Sequence, residues 1–282
     1  MRILALDLGG TRLKAGLVVD GVVETTLTVE TPADGSPASI ERAVLGAARE
    51  LGAYERVGLS VPGLVDRGVV VSLPGKHAGI EGIDLQALLG EVLGAPTWVT
   101  NDAIAYAMGE AVGGAGRGAH RVVVVTIGTG VGVTVIQGGA PATDGIVGAG
   151  ILGGFIPISE RTEGPTDSIG RCDTIEALCA APRIAEACGV DSVEAAYAAG
   201  HSEGLQTYRR DLVRALVALA SAHAPDVLVL GGGPMTSDNP ITPGIEDIVN
   251  QRLFGTYRVE VRLAELGDAA ALVGLAHLVE AS

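Results

Sequence analysis

Apolar residues in this chain fall into short runs separated by glycine, proline and charged residues, and the period within each run distinguishes strand from helix. Runs rich in Val, Leu and Ile at residues 3–7, 13–19, 22–29, 57–61 and 97–100 predict strands. Apolar positions three and four apart predict helices at 37–51, 85–93 and 103–111. A glycine-rich, weakly patterned stretch over 109–118 then gives way to a new strand at 121–127. Beyond it the pattern predicts a long helix at 203–223, a strand at 227–230, a helix at 245–253, a strand at 259–263 and a final helix at 269–280. Strands alternating with helices in this way predict an α/β fold with mixed sheets covered by helices.

Two segments share one pattern. "ILALDLGGTRLKAGLVVDG" joins two β-rich runs through Gly9-Gly10, and "VVVVTIGTGVGVTVIQGG" does so through Gly128-Thr129-Gly130. Each copy leads one half of the chain, a weak internal repeat that points to a duplicated architecture. The chain of 282 residues is long enough for two lobes. We expect one lobe over 1–115, with the helix at 268–282 packing back on it, and a second over 116–267.

Composition narrows the function classes. With 33 acidic against 19 basic residues, and Lys14 and Lys76 as the two lysines, the chain repels nucleic acid and anionic membranes at long range. Any phosphate it binds must be held by backbone amides, a metal or a few placed arginines. No apolar run approaches the ~18 residues of a membrane-spanning helix, so a cytoplasmic protein with no nucleic-acid or membrane partner is expected. Cys172, Cys179 and Cys188 are odd in number and lack C-x-x-C spacing, so neither a disulfide framework nor a zinc site follows from them.

Gly9-Gly10 and the 128–132 glycines sit at strand turns, where a missing Cβ lets backbone N–H groups approach anionic oxygens. Thr11 and Thr129 add hydroxyl donors. Neither turn has the P-loop spelling or the dinucleotide fingerprint followed by a helix. Asp7 ends a strand beside the first turn, suited either to a hydrated Mg²⁺ or to capping the turn amides. Arg12 and Lys14 share one strand face, for phosphate or for solvent. Asn101-Asp102 stands between a strand end and a helix start, where Asp102 is a helix N-cap or a base for a substrate hydroxyl. Gly231-Gly232-Gly233 follows a buried strand, as a nucleotide contact or as a plain turn. Of the five histidines, His77 in "LPGKHAGIEG" is the one placed near a site.

Taken together, these segments resemble the ROK family of sugar kinases, within the actin-like, ribonuclease H-like ATPase superfamily. The resemblance covers nearly the whole chain: "LALDLGGTRLKAGLV" and "VVTIGTGVGV" resemble the two phosphate motifs, "GLSVPGLVD" the sugar-side loop, "VTNDAIAYAMGE" the N-D-A motif and "VLVLGGG" the adenosine motif. It implies a two-lobed fold that transfers the γ-phosphate of MgATP to a primary hydroxyl, the 6-hydroxyl, of a hexose. By position it makes Asp102 the general base, Asn101, Gly63 and Glu176 sugar contacts, and Asp7 a support for Mg²⁺ through water; His77, from its own loop, is expected beside the sugar as well. Gly10, Thr11, Gly128, Thr129 and Gly130 would flank the ATP phosphates, with Gly232 and Gly233 by the adenosine; Gly9, Arg12, Lys14 and Gly231, from their places at the same turns, are expected to bind the nucleotide with them.

Two motifs depart from the family pattern. Gly150-Ile151-Leu152-Gly153-Gly154 stands where the family has G-E-I-G-H, and Asp167, Ile169 and Thr174 stand at the positions of three zinc-ligating cysteines. The resemblance therefore implies no zinc site. It also opens an alternative to glucose, an amino sugar (kanosamine or an N-acetylhexosamine) or a cyclitol, because a buried sugar hydroxyl left unpaired costs ~1–3 kcal/mol. A non-catalytic, sugar-binding ROK protein is the alternative of another class. It is disfavoured by the retained Asp7 and Asp102 and, for repressors, by the first phosphate strand starting at Ile3. The apolar-rich composition points to a covered subunit interface without fixing the number of subunits, and a homodimer is expected.

Overall fold

The computed structural model describes all residues except 73–77, 144–147, 149 and 201, and the chain divides into two compact units. The first holds Met1–Gly113 and Asp268–Ser282; the second holds Gly114–Asp144 and Ala149–Gly267.

In the first unit, β1 (Arg2–Leu8), β2 (Arg12–Val19) and β3 (Val22–Glu30) form an antiparallel meander. After α1 (Pro37–Leu51), β4 (Arg56–Val61) pairs parallel to β1. A hairpin of β5 (Leu64–Asp66) and β6 (Val69–Ser72) and helix α2 (Leu85–Leu93) lead to β7 (Thr97–Asn101), parallel to β4, and to α3 (Asp102–Val112). The sheet order is β3-β2-β1-β4-β7. β1 reads as an unbroken apolar run because both its faces are covered. Leu4, Leu6 and Leu8 join the core with Ile40, Val44, Leu85 and Leu89, while Ile3 and Ala5 pack with Ala105, Leu272 and Leu275.

The second unit repeats the plan. β8 (Arg121–Ile127), β9 (Val131–Gln137) and the short β10 (Ala140–Pro141) form the antiparallel part. Three short helices, α4 (Ile175–Cys179), α5 (Pro182–Cys188) and α6 (Val193–Ala198), precede the long α7 (Glu203–His223). β11 (Val227–Gly231) then pairs parallel to β8, α8 (Ile245–Asn250) follows, and β12 (Glu260–Leu263) pairs parallel to β11. The order β10-β9-β8-β11-β12 matches the first sheet strand for strand and direction for direction. This duplication is the expected α/β, actin-like ATPase fold. Along α7, Leu205, Tyr208, Leu212, Leu216 and Leu219 are buried at helical spacing, which is why the long helix was legible.

The last helix, α9 (Ala270–Ala281), belongs to the first unit and crosses α3 at backbone contact. A Cβ on Gly274 would lie 1.9 Å from the Ala105 carbonyl oxygen, and one on Gly109 would lie 1.9 Å from that of Ala270. Gly109 is therefore not the start of a loop: the helix runs through it to Val112, and the glycine makes room for its neighbour. The helix read at 245–253 ends at Asn250, and the three short helices and the β5–β6 hairpin carried no clear period in the sequence. Among the described residues, no helix is long and apolar enough to cross a membrane.

Candidate functional site

In the first unit, the carboxyl ends of the parallel strands β1, β4 and β7 bring chemistry to one edge of the sheet. Asp7 pairs in register with Ser60, Ser60 with Thr100, and Val61 with Asn101. The wholly buried Ser60 hydroxyl donates to Asp7 Oδ1 at 2.7 Å. Sequence reasoning missed Ser60, although a hydroxyl inside the apolar strand "VGLSV" was the available signal. Burial raises the pKa of Asp7, opposed by the Ser60 hydrogen bond and by Lys14, while Asp268 adds to the rise.

The helix start differs from the expected cap by one position. Asn101, not Asp102, is the N-cap of α3: its Oδ1 accepts from the Ile104 amide at 3.2 Å. The Asn101 Nδ2 donates to the Gly63 carbonyl at 2.6 Å and to Asp102 Oδ1 at 3.1 Å. Asn101 thus ties the loop at Gly63, which holds a φ of 89°, to the helix and to Asp102. Relieved of capping, Asp102 is the first helical residue, its Oδ1 also receiving the Ala103 amide at 2.8 Å. Burial, then the charge of Asp7, pushes its pKa up to about 6 against these hydrogen bonds.

The first glycine turn is pinned from behind. The Gly9 amide donates to the Arg12 carbonyl at 2.9 Å, and the Thr31 hydroxyl donates to the Gly9 carbonyl at 2.8 Å. Gly10, Thr11 and Arg12 are exposed, and a Cβ on Gly10 would meet nothing within 4 Å. Lys14 is engaged with Asp268, just before α9, in an ion pair of 2.5 Å. Thr31 and Asp268, distant in sequence, are further residues the motifs did not reveal.

The second unit carries the matching turn. The Gly128 amide donates to the Gly130 carbonyl at 2.9 Å, and the Gly128 carbonyl accepts from Ala181 at 2.8 Å. Gly128 and Thr129 are exposed, with open space where a Gly128 side chain would stand. Gly231 is in register with Thr126, and a Cβ on Gly232 would lie 2.0 Å from the Ile127 carbonyl oxygen. Gly231 and Gly232, the latter at φ 98°, thus sit against the strand that enters the second turn, while a Cβ on Gly233 would meet nothing within 4 Å.

Glu176 also reaches this turn. Its Oε2 accepts from the Val131 amide at 3.2 Å and its Oε1 from the Ser168 amide at 2.7 Å. Gly154 lies beneath it, where a Cβ would stand 2.4 Å from the Val131 carbonyl oxygen. This backbone has no place for a histidine side chain. Asp167 and Thr174 are hydrogen-bonded to each other at 2.9 Å, while Ile169 is exposed. His77 lies outside the described residues. Among the described residues, no group of three or more His, Cys, Asp or Glu side chains could hold a metal ion. A Mg²⁺ that keeps most of its waters asks for less, one or two carboxylates beside substrate phosphates. Asp7, a half-buried carboxylate whose burial is only partly offset by its neighbours, fits that demand.

The chain is similar to several known proteins. The bifunctional enzyme NanE/NanK of Brucella melitensis is 32% identical over 98% of this chain, which spans about half (53%) of that enzyme's length. The N-acetylmannosamine kinase of Escherichia coli O157:H7 is 32% identical over 66% of this chain and 64% of its own. A ROK family glucokinase from Streptomyces griseus, solved with glucose and AMPPNP, superposes with a TM-score of 0.81 at 25% identity, covering 100% of both chains. The ROK family description itself matches residues 3–282, and the chain belongs to the ROK family.

Proposed function

We propose that the protein is an ATP-dependent sugar kinase that phosphorylates the 6-hydroxyl of a hexose or modified hexose, with Asp102 as the general base. The observation that carries this reading is Asp102 itself. It is a half-buried carboxylate held by two hydrogen bonds on Oδ1, freed from capping, and its pKa is raised to about 6. That value keeps it ionised at neutral pH yet basic enough to take a hydroxyl proton as the oxygen attacks phosphorus. Asn101 and Gly63 orient the acceptor within the first unit, and Gly128 to Gly130 with Gly231 to Gly233 receive the nucleotide within the second. Mg²⁺ bound with ATP would neutralise phosphate charge, and Asp7 would hold it through water.

A second reading takes the ring to be an amino sugar. It is favoured by Gly154, whose backbone excludes a sugar-contacting side chain, by Ile151 in place of a polar residue, and by the N-acetylmannosamine kinase among the relatives. ATP consumption by the purified protein across glucose, mannose, N-acetylmannosamine, other N-acetylhexosamines, kanosamine and cyclitols, with a no-acceptor control, decides between them. Turnover that depends on one of these acceptors is expected. No acceptor-dependent turnover on the whole panel contradicts the kinase reading.

A further inference from the structure

Glu176 makes contacts that a residue serving only the sugar would not need. Both its oxygens accept backbone amides, one from Val131, directly after the second glycine turn, and one from Ser168. At Gly130 a Cβ would lie 2.6 Å from Oε2, so the turn closes directly onto the carboxylate. Glu176 sits in the first turn of α4, and α4 is fixed at its start by Thr174, whose hydroxyl oxygen accepts from the Ala177 amide. The same hydroxyl donates to Asp167 Oδ2 at 2.9 Å.

Asp167 anchors the far end of this chain. Its side chain is fully buried and accepts from the Ile169 amide at 3.0 Å and the Arg171 amide at 2.9 Å. Arg171 reaches on to the Phe155 carbonyl at 2.7 Å and stacks over the Phe155 ring. Burial alone would raise the pKa of Asp167, but these hydrogen bonds together hold it below the usual carboxylate value. A turn fixed this firmly presents the Ser168 amide at a set position. Glu176 then carries that position across to Val131 and Gly130.

We propose that Glu176 is a positioning residue for the nucleotide, setting the second glycine turn with the Asp167-centred turn as its anchor. The inference rests on the kinase reading for its ligand, the triphosphate at Gly128-Thr129-Gly130. Replacing Glu176 by Gln puts an amide NH₂ against one of the two backbone N–H groups, which loses that hydrogen bond, and leaves the other N–H bonded to an uncharged oxygen.

The test is calorimetric binding of AMPPNP, and separately of glucose and N-acetylmannosamine, to wild type and Glu176→Gln. Amide hydrogen exchange at Val131 and Ser168 is read alongside. The expected result is a nucleotide Kd raised about tenfold and faster exchange at both amides, with any change in sugar Kd read separately as the residue's sugar contact. An unchanged nucleotide Kd or unchanged exchange overturns the proposal. Should Glu176→Gln fail to fold, Asp167→Asn weakens the same anchor without touching the carboxylate, and the same outcomes apply. If wild type binds no nucleotide, it is the kinase reading that has failed, and the exchange measurement still decides whether Glu176 clamps the turn.

Discussion

Asp102 shows how one position in register changes a residue's chemistry. Because Asn101 takes the N-cap, Asp102 keeps its carboxylate for other work, in a half-buried spot beside Asp7. The native state binds the Asp102 proton more tightly than the unfolded chain does, so ionisation costs stability as pH rises from about 4 to about 6 and the cost stays constant above that. At about 1.4 kcal/mol per pKa unit the cost approaches 3 kcal/mol, less as water reaches the carboxylate. Two results follow for one titration series. The rate kcat/KM should rise with pH through a midpoint near 6, because only the ionised base accepts the hydroxyl proton, and Asp102→Asn should be more stable than wild type at pH 7.5 but not at pH 4. A pH-independent rate between pH 5 and 7.5 contradicts the assignment. The residue types "ND" were legible in the sequence. Their division of labour was not, since both types cap helices and the start of α3 is a matter of one residue.

Among the elements, the α3–α9 crossing is where glycine misled the sequence reading. A glycine that breaks a helix and one that lets two helices touch have the same spelling, and only the partner helix, more than a hundred residues away, tells them apart. Gly109 and Gly274 are both of the second kind. Alanine at either position should therefore destabilise the protein by about 1–3 kcal/mol through overpacking, although alanine is the better helix former. Thermal melts of Gly109→Ala and Gly274→Ala check this, and a raised Tm in either variant would show that the helices do not meet there. The glycine turns at 9–10 and 128–130 were readable for the opposite reason. Their flanking strands are short apolar runs that stop at the glycines, which marks the turns without any distant contact. Ser60 and Thr31 were hidden because their partners Asp7 and Gly9 lie 53 and 22 residues away, and for Glu176, which the resemblance had set beside the sugar, the tie to Val131 45 residues away was hidden in the same way.

For the molecule as a whole, the matching order of the two sheets is what turned two short glycine hairpins into a fold. The repeat was faint in the sequence because the two copies share little beyond glycine, threonine and β-branched residues, yet the strand order is identical. The net charge of −14 leaves few cations for phosphate, and the structure ties Lys14 to Asp268. On the proposed reading, phosphate recognition at the second turn would then fall to its exposed amides and to Thr129. The central claim remains that this duplicated frame serves a proton transfer at Asp102. Turnover of Asp102→Asn with the best acceptor from the panel, measured beside its affinity for AMPPNP, tests that claim most directly. We expect turnover to fall by about 10²–10⁴ with nucleotide affinity within about twofold of wild type. Turnover near the wild-type rate would contradict it.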